Sequence, residues 1–458
     1  MSIKKFAAFA AAVTMAVSAS ACSRIEHKDV NTSADGPSAA GTAEQVSGED
    51  SKPEITPAKL EELFKGFESG LDASGDFFEW CVESTQDPLL LDKIYEAFGS
   101  GEFSDQKWFE LTGMTVKVTN DLYSGAAYEQ DNIVVMPSNG EDGIQLTFGG
   151  DISLADNWTV MDYYKTTSGI SDCISPFLID KMNTADIAML NNEFCFTTRG
   201  ERIPEKAFCF IADPSHVSIY GEMGIDIVDL ANNHCYDYGP DSFTDTLATL
   251  DGAGIKHVGA GENINDAKKP VYYIIEGRKI AYVAATRAEK WTALTPEATE
   301  TTSGTLRCYE PDAFIEVIKE AKQNADLVIA NVHWGTEDSH ELEDVQPETG
   351  YMYVDAGADL IIGSHAHCLQ GIEYYKGVPI FYNLGNFWFS HYDIDTGLVG
   401  VTINDDNSLD CTFYPATQRD CKTTYVGGEE EGQRIIDALN SYNINATVSS
   451  DGVVTENK

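Results

Sequence analysis

From residue 144 onward the chain alternates short apolar runs with helical stretches, and this alternation constrains its fold more than any other feature. The apolar runs cover residues 144–148, 187–190, 225–230, 280–285, 327–332, 360–362 and 378–382. Helical stretches lie between several of them, such as 241–250 and 312–322. Short strand-like runs separated by helices predict a layered α/β domain, which we place at residues 144–420.

Polar side chains gather just after five of these apolar runs. They are Asp151, then Asn192 and Glu193, then Asn232, Asn233 and His234, then His333 with Glu337, and finally His365 and His367. Ligands bind at the carboxyl ends of strands in α/β sheets, so we expect these side chains to meet in one crevice. Carboxylate, amide and imidazole groups together suit Mn, Fe or Zn. Two such ions bridged by a carboxylate would hold a phosphate and activate water, and His234 would protonate a leaving oxygen.

Each of these residues also has an ordinary structural explanation when it is taken alone. Asp151 could cap a helix or occupy a turn, and the pair Asn232 and Asn233 could form a turn. His365 and His367 would face one side of a strand, but on a loop they could share a metal site. The combination favours function, because four of the nine histidines fall in three such segments.

Six motifs follow one another in a recognisable order. They are Gly150-Asp151, Asn192-Glu193, Ala231-Asn232-Asn233-His234, His333-Trp334-Gly335 with Glu337, His365-Ala366-His367, and Asn383-Leu384-Gly385-Asn386-Phe387. In this order they resemble the CapA family of poly-γ-glutamate capsule biosynthesis proteins, over residues 145–420. The resemblance implies a four-layer fold related to the calcineurin-like metallophosphoesterases, with two mixed β-sheets between helices.

The resemblance also implies roles for the matched residues. The metal ligands would be Asp151, Glu193, Asn233, His333, His365 and His367, with Glu193 bridging and His234 catalytic. Asn192, Asn232, Glu337 and Asn386 would support these ligands or contact substrate. The chain departs from the phosphoesterase pattern in having Ser153 where a histidine is usual, the longer Glu193 in place of aspartate, and Ser364 between Gly363 and His365. We therefore expect one or two divalent ions.

Further residues adjoin the expected site, and each has two interpretations. The aromatic residues Trp334, Phe387 and Trp388 could stack on substrate or pack beneath the site loops. The basic residues Arg199, Arg202 and Lys206 could form a local anion-binding patch or be ordinary surface charges.

The first 57 residues have the features of an export and anchoring segment. Lys4 and Lys5 precede an apolar stretch, and a small-residue site ends at Ala21, which predicts a signal peptide over residues 1–21. Cys22 would then carry the lipid of a bacterial lipoprotein on the extracellular face of the cell membrane; simple secretion is the alternative. Residues 22–57 contain scarcely any large apolar residue and predict a disordered linker.

The regions flanking the main domain are less informative. Helical spacing predicts a small helical region over residues 58–135, and residues 421–458 are expected to form a final helix and a loose tail. Nine cysteines remain besides Cys22, and sequence alone cannot pair them. Disulfides are expected outside the membrane, and Cys411 with Cys421 is the suggested pair.

The charge of the chain limits its partners. Seventy-four acidic residues face thirty basic residues, giving a net charge of −44, which disfavours nucleic acid and, at low salt, also an anionic polymer. The leading interpretation is a cell-surface hydrolase or transferase that acts on poly-γ-glutamate or another envelope polymer, with subunits of a capsule-synthesis complex as partners. The alternatives are a phosphoesterase with another phosphate-containing substrate and a non-catalytic accessory subunit of an envelope complex.

Overall fold

The computed structural model describes residues 132–136, 138–139, 143–275, 278–288 and 290–457. All of them belong to one structural unit that begins at Ser124. The predicted signal peptide, Cys22, the linker over 22–57 and residues 58–131 of the predicted helical region lie outside the described residues. No helix in the described part of the chain is long and apolar enough to cross a membrane.

The described residues form twenty-one strands and eight α-helices. The strands, in chain order, are β1 (Ile133–Val135), β2 (Ile144–Ile152), β3 (Ile187–Asn192), β4 (Cys195–Phe196), β5 (Ile211–Ala212), β6 (Ile227–Asp229), β7 (Lys256–Val258), β8 (Ala260–Gly261), β9 (Val271–Ile275), β10 (Arg278–Thr286), β11 (Gly304–Thr305), β12 (Leu327–Trp334), β13 (Leu360–His365), β14 (Ile372–Tyr375), β15 (Val378–Phe381), β16 (Asn386–Trp388), β17 (Ile394–Ile403), β18 (Leu409–Arg419), β19 (Lys422–Tyr425), β20 (Ala446–Val448) and β21 (Val453–Glu456). The helices are α1 (Thr159–Tyr164), α2 (Pro176–Thr184), α3 (Ser218–Met223), α4 (Pro240–Ala253), α5 (Ile264–Ala267), α6 (Asp312–Asn324), α7 (Val345–Ala356) and α8 (Glu430–Tyr442).

Two large mixed sheets organise the domain. Sheet A has seven strands in the order β1-β9-β10-β12-β13-β15-β14, and its central strands β10, β12, β13 and β15 run parallel. Sheet B has ten strands, eight of them in the order β20-β21-β18-β17-β2-β3-β6-β7, while β16 pairs with β2 and β19 with β18. In sheet B, β2, β3, β6 and β7 are parallel and β17, β18, β20 and β21 are antiparallel to their neighbours.

The two sheets face each other across an apolar core, and helices cover their outer faces. Phe148 of β2 and Tyr282 of β10 meet between the sheets, with ring centroids 6.2 Å apart. On the outer side of sheet A, α6 and α7 pack together through Phe314 and Tyr353. On the outer side of sheet B, buried side chains of α2, α3 and α4 join those of the strands in one cluster. The predicted α/β sandwich of two mixed sheets flanked by helices is therefore confirmed.

The apolar runs form strands because they are buried on both faces. All eight residues of β12 are buried, and so are all six of β3 and of β13. Continuous burial is typical of central parallel strands, whose two faces are both covered. The parallel direction matters for function, because it places the carboxyl ends of β2, β3, β6, β12 and β13 where the polar motifs follow.

Three expectations for the flanking regions need correction. Residues 133–135, assigned to the helical region, form a strand that pairs with β9 and adds an edge to sheet A. The final helix is present as α8, but the expected loose tail folds into the hairpin of β20 and β21, which pairs with β18. Position 420 is accordingly no structural boundary, because sheet B continues through the chain on both sides of it.

The cysteines of the described residues are all unpaired and buried. The suggested pairing of Cys411 with Cys421 is therefore wrong. Cys411 lies within β18, opposite Val454 of β21, whereas Cys421 sits in the turn between β18 and β19. The antiparallel run of β18 carries the two residues apart, a separation that their spacing in the sequence could not reveal.

Candidate metal centre

The carboxyl ends of both sheets converge on one buried cluster of ligand-type side chains. Ligand atoms of Glu193, His333 and His365 all lie within 4.8 Å of one another, and the same is true of Asp151, Glu193 and His367. The two groups share Glu193, as expected for a bridging carboxylate. Side chains drawn from more than two hundred positions of sequence therefore meet in the crevice that the motifs predicted.

Glu193, the shared residue, is fully buried directly after β3. Among the described residues, its Oε1 atom has no hydrogen-bond partner, and it lies 3.6 Å from Nε2 of His333. Burial and then the charge of Asp151 hold the pKa of the Glu193 carboxyl well above its usual value. A buried carboxylate oxygen without a donor is costly unless a cation or a proton compensates it. This atom therefore fits a metal ligand.

Asp151 reaches the cluster because the backbone before it packs unusually closely. A Cβ on Gly150 would lie only 1.8 Å from the carbonyl oxygen of Gly385, so only glycine fits there. The amide of Asp151 donates to that same carbonyl at 2.9 Å, which ties β2 to the loop before β16. Its buried carboxylate then accepts a hydrogen bond from Asn191 at 2.7 Å and lies 3.2 Å from Nδ1 of His367.

His333 presents its Nε2 atom to the cluster in a fixed orientation. Nε2 lies 2.8 Å from Oδ1 of Asn233, and Nδ1 lies 2.8 Å from the Ser364 hydroxyl. Burial, and then the nearby His365, lower the pKa of His333 well below its usual value. The ring is therefore neutral, which is the form that binds metal ions.

His365 enters the cluster through a strained backbone. Its φ angle of 94° lies in the left-handed region that side chains other than glycine rarely adopt. Its Nδ1 atom is buried and finds no hydrogen-bond partner in the described part of the chain. Burial, followed by the charge of His367, lowers the pKa of His365 to about 3. Strain and an orphaned nitrogen at one residue mark a functional constraint.

His367 has the opposite electrostatic environment. Burial disfavours its charged form, but the carboxylates of Glu193 and Asp151 outweigh this and raise its pKa to about 10. Its Nδ1 atom also lies 2.7 Å from Oδ1 of Asn386. The carboxylates of Glu193 and Asp151 thus stabilise a positive charge beside His367, and a divalent cation would supply such a charge.

His234 lies at the edge of the cluster as part of a buried relay. Its Nδ1 atom is 2.7 Å from Oδ2 of Asp237, and Oδ1 of Asp237 is 2.7 Å from Nζ of Lys206. Burial lowers the pKa of His234, although Asp237 opposes this. The Lys206 ammonium also donates to the carbonyl of Asn233, so the relay and the metal-ligand loop are connected.

The remaining predicted residues divide into those at the cluster and those away from it. Asn232 donates to Asn191 at 2.9 Å and accepts from the amide of His234 at 2.9 Å, so it braces the loop. Asn192 points away and bonds Tyr220 at 2.8 Å. Glu337 is exposed, although its charge contributes to the raised pKa of Glu193.

Sequence reasoning missed three residues that hold the cluster. Asn191 donates to both Asp151 and Glu193, and strand periodicity indicates it, because residues two apart share a face. Asp237 follows His234 by three residues, a spacing that allows their contact. Ser364, noted only as an interruption, hydrogen-bonds His333.

The structure shows the surroundings of the flanking aromatic and basic residues, for which the sequence allowed two interpretations. Trp334, Phe387 and Trp388 are fully buried, and so they pack beneath the site. Arg199 pairs with Asp245 at 2.8 Å, and Lys206 is buried against Asp237. Arg202 donates to the carbonyl of Lys206 at 2.7 Å. These three residues therefore do not form a common anion-binding patch.

The sequence of the chain matches a known protein family over the segment that forms this cluster. Residues 145–391, just over half of the chain, match the family model described as "Bacterial capsule synthesis protein PGA_cap". The chain is 41% identical over 201 residues to the capsule biosynthesis protein CapA of Bacillus anthracis, covering 42% of this chain and 48% of that protein. It is 32% identical over 252 residues to the PGA biosynthesis protein CapA of Bacillus subtilis, covering 54% and 64%.

A third relative carries a different description. The chain is 30% identical over 213 residues to a probable polyglutamine synthesis accessory protein of Mycobacterium tuberculosis, covering 44% of this chain and 56% of that protein. The chain thus spans between about half and two thirds of the length of these curated relatives. The segment matched by the family model, residues 145–391, contains every residue of the cluster.

Proposed function

The chain belongs to the PGA_cap family of bacterial capsule synthesis proteins, and from that premise we propose a metal-dependent hydrolase or transferase that processes poly-γ-glutamate or another envelope polymer. The observation that carries this proposal is the sharing of Glu193 between two groups of ligand atoms. A carboxylate shared in this way can hold two cations side by side. The names of the Bacillus relatives, which refer to capsule and PGA biosynthesis, support a polymer of this kind as the substrate.

The residues of the chain divide the chemical work between them. A bound divalent ion would polarise the scissile group and lower the pKa of water. Asp151, Glu193 and His367 would hold one ion, and Glu193, His333 and His365 would hold the other, with Asn233 beside His333. Asn191 and Ser364 keep these ligands in place through the hydrogen bonds described above.

His234 would exchange a proton with the reacting group. Asp237 accepts from Nδ1 of His234, which fixes the tautomer and leaves Nε2 for the substrate. Lys206 balances the charge of Asp237 and keeps it in place. A neutral imidazole held in this way can take up a proton and then deliver it to a leaving group.

The location of the protein is part of the same proposal. Lipidation of Cys22 would hold the domain at the outer face of the cell membrane, and residues 22–57 would give it reach toward an envelope polymer. Subunits of a capsule-synthesis complex are the expected partners at that surface. Labelling the intact protein with a radioactive fatty acid, with Cys22→Ser as control, tests the anchor.

Two other functions are favoured by particular observations. The ligand set with a shared carboxylate also suits a phosphoesterase with a different substrate. The word "accessory" in the name of the mycobacterial relative favours a non-catalytic subunit. A panel of γ-glutamyl peptides and phosphate esters, assayed with added Mn²⁺, separates these functions.

Two variants test the catalytic role directly. We expect His365→Ala to lose metal and activity together, because an imidazole ligand is removed. We expect His234→Ala to keep its metal and lose about 10²–10⁴-fold in activity, because only proton transfer is removed. Metal content is measured by mass spectrometry. Full activity in both variants would exclude this site as the catalytic centre.

A further inference from the structure

A cavity of about 500 Å³ opens beside the metal centre at His367. Its volume lies in the range of small-ligand sites, which is roughly 300–1,000 Å³. Asp338, His340, His367 and Cys368, from the loops that follow β12 and β13, line one side of it. Asp393, Ile394, Asp395, Arg419, Glu431 and Arg434 line the other side. The second group lies entirely beyond residues 145–391, outside the family match.

The side of the cavity formed by residues beyond the family match carries paired charges. Nη2 of Arg419 lies 2.8 Å from Asp393 and 3.8 Å from Glu431. Nη1 of Arg434 donates to Asp395 at 2.8 Å, and its Nη2 lies 3.0 Å from the same Glu431. Two guanidinium groups are thus held in place by three carboxylates.

Arg419 keeps donors for a further anion. Nη2 makes the ion-pair contacts with Asp393 and Glu431, and within the described residues Nε and Nη1 donate no hydrogen bond. The side chain is about half exposed, at 51%. A guanidinium group binds a carboxylate through two parallel hydrogen bonds, so Arg419 offers a carboxylate site facing the cavity.

Asp338 supplies the complementary charge on the metal-centre side. It is exposed, and within the described part of the chain it has no ion-pair partner. Its amide donates to the carbonyl of Ala366 at 2.8 Å, which fixes its loop beside the metal ligand His367. A carboxylate in this place favours a ligand ammonium group. The cavity therefore offers one anion site and one cation site next to the metal centre.

We propose that this cavity binds the amino-terminal unit of a γ-linked glutamate chain, with Arg419 on its α-carboxylate and Asp338 on its α-ammonium. The inference rests on the proposed function. In a γ-linked chain every amide uses the side-chain carboxyl, so each unit keeps an α-carboxylate and only the first also keeps an ammonium group. The net charge of −44 disfavours binding of an anionic polymer. At the amino-terminal end the ammonium group offsets part of that repulsion.

Calorimetric titration of the Mn²⁺-loaded protein with γ-glutamylglutamate, in both chiral forms, tests the inference. We expect the dipeptide to bind about tenfold more tightly than its N-acetyl derivative, since acetylation removes the ammonium. Asp338→Asn should abolish that preference. Arg419→Met should weaken binding of both ligands about tenfold, and Arg419→Lys should weaken it less, because the charge remains without the fork.

Arg199→Met is the matched control. The Arg199 side chain is similarly exposed, at 54%, and it does not line this cavity; its Nη1 atom lies 3.4 Å from Oδ1 of Asp241. This variant should bind both ligands like the wild type, and thermal melting should show all variants folded. Dipeptide affinity that is unchanged in the Arg419 and Asp338 variants, or equal for the free and the acetylated dipeptide, overturns the inference. Intact dipeptide binding without any metal-dependent hydrolysis would instead contradict the proposed function and leave the binding site standing.

Discussion

The two sheets contribute different chemistry to the same centre. Sheet B and its loops bring oxygen ligands, namely Asp151, Glu193 and Asn233, whereas sheet A brings the imidazoles of His333, His365 and His367. On the sheet B side the pKa of Glu193 is raised by burial, and on the sheet A side burial lowers the pKa values of His333 and His365.

This difference shows that neither sheet can build the centre alone. Carboxylates brought together without a cation repel one another, and neutral imidazoles alone lack the charge to compensate a divalent ion. Both groups of ligand atoms combine a carboxylate from sheet B with imidazole from sheet A. Metal binding should therefore depend on how the sheets are packed together.

Glu193→Gln is expected to have the largest effect, because it removes the charge that both ligand groups share. We expect loss of bound metal and of activity below detection, measured by metal analysis and turnover. Glu348→Gln, which alters an exposed carboxylate on α7, is the control and should match the wild type. Retention of full metal content by Glu193→Gln would show that the oxygen side is dispensable.

A paired comparison of Asp151→Asn with His333→Ala separates the two ligand groups. Each variant should lose one ion and retain the other, because the groups meet only at Glu193. Metal content and anomalous diffraction at the metal edge would identify which position is lost. Loss of both ions in either variant would show that the two positions fill only together.

Ser364→Ala should have a smaller effect that is confined to the sheet A side. The hydroxyl lies 2.8 Å from Nδ1 of His333 and fixes the orientation of that ring. Removing such a supporting contact typically costs about 10–100-fold in metal affinity. Competition with a metal chelator measures the change, and Ser408→Ala in the exposed turn between β17 and β18 serves as control. An unchanged affinity would mean that the ring is held by packing alone.

The smallest expected effect is the change in the stability of the fold when the metal is removed. Cations that bridge the sheets stabilise the folded state by about 2.7 kcal/mol at a hundred times their dissociation constant. For a domain of this size the melting temperature should fall by roughly 5–10 °C on chelation, since about 1 kcal/mol shifts it by 2–4 °C. Glu193→Gln should melt at the same temperature with and without chelator. An equal shift in that variant would contradict the bridging role.

The sequence predicted the main strands of both sheets and the side chains that meet at the candidate metal centre. Continuous apolar runs and the polar residues that follow them are local features, so β2, β3, β12 and β13 were predicted near their observed positions. The polar residues that end these strands could be named one by one, because a parallel sheet brings carboxyl ends together.

Tertiary structure decided how those residues meet. The pleat predicts that Asn191 and Asn192 point to opposite faces, and the packing decides that Asn191 contacts Asp151 while Asn192 contacts Tyr220. The left-handed backbone of His365 and the pairing of the C-terminal hairpin with β18 likewise depend on contacts between residues far apart in sequence. Such contacts leave no local pattern, because their energy comes from the neighbours that the fold brings close.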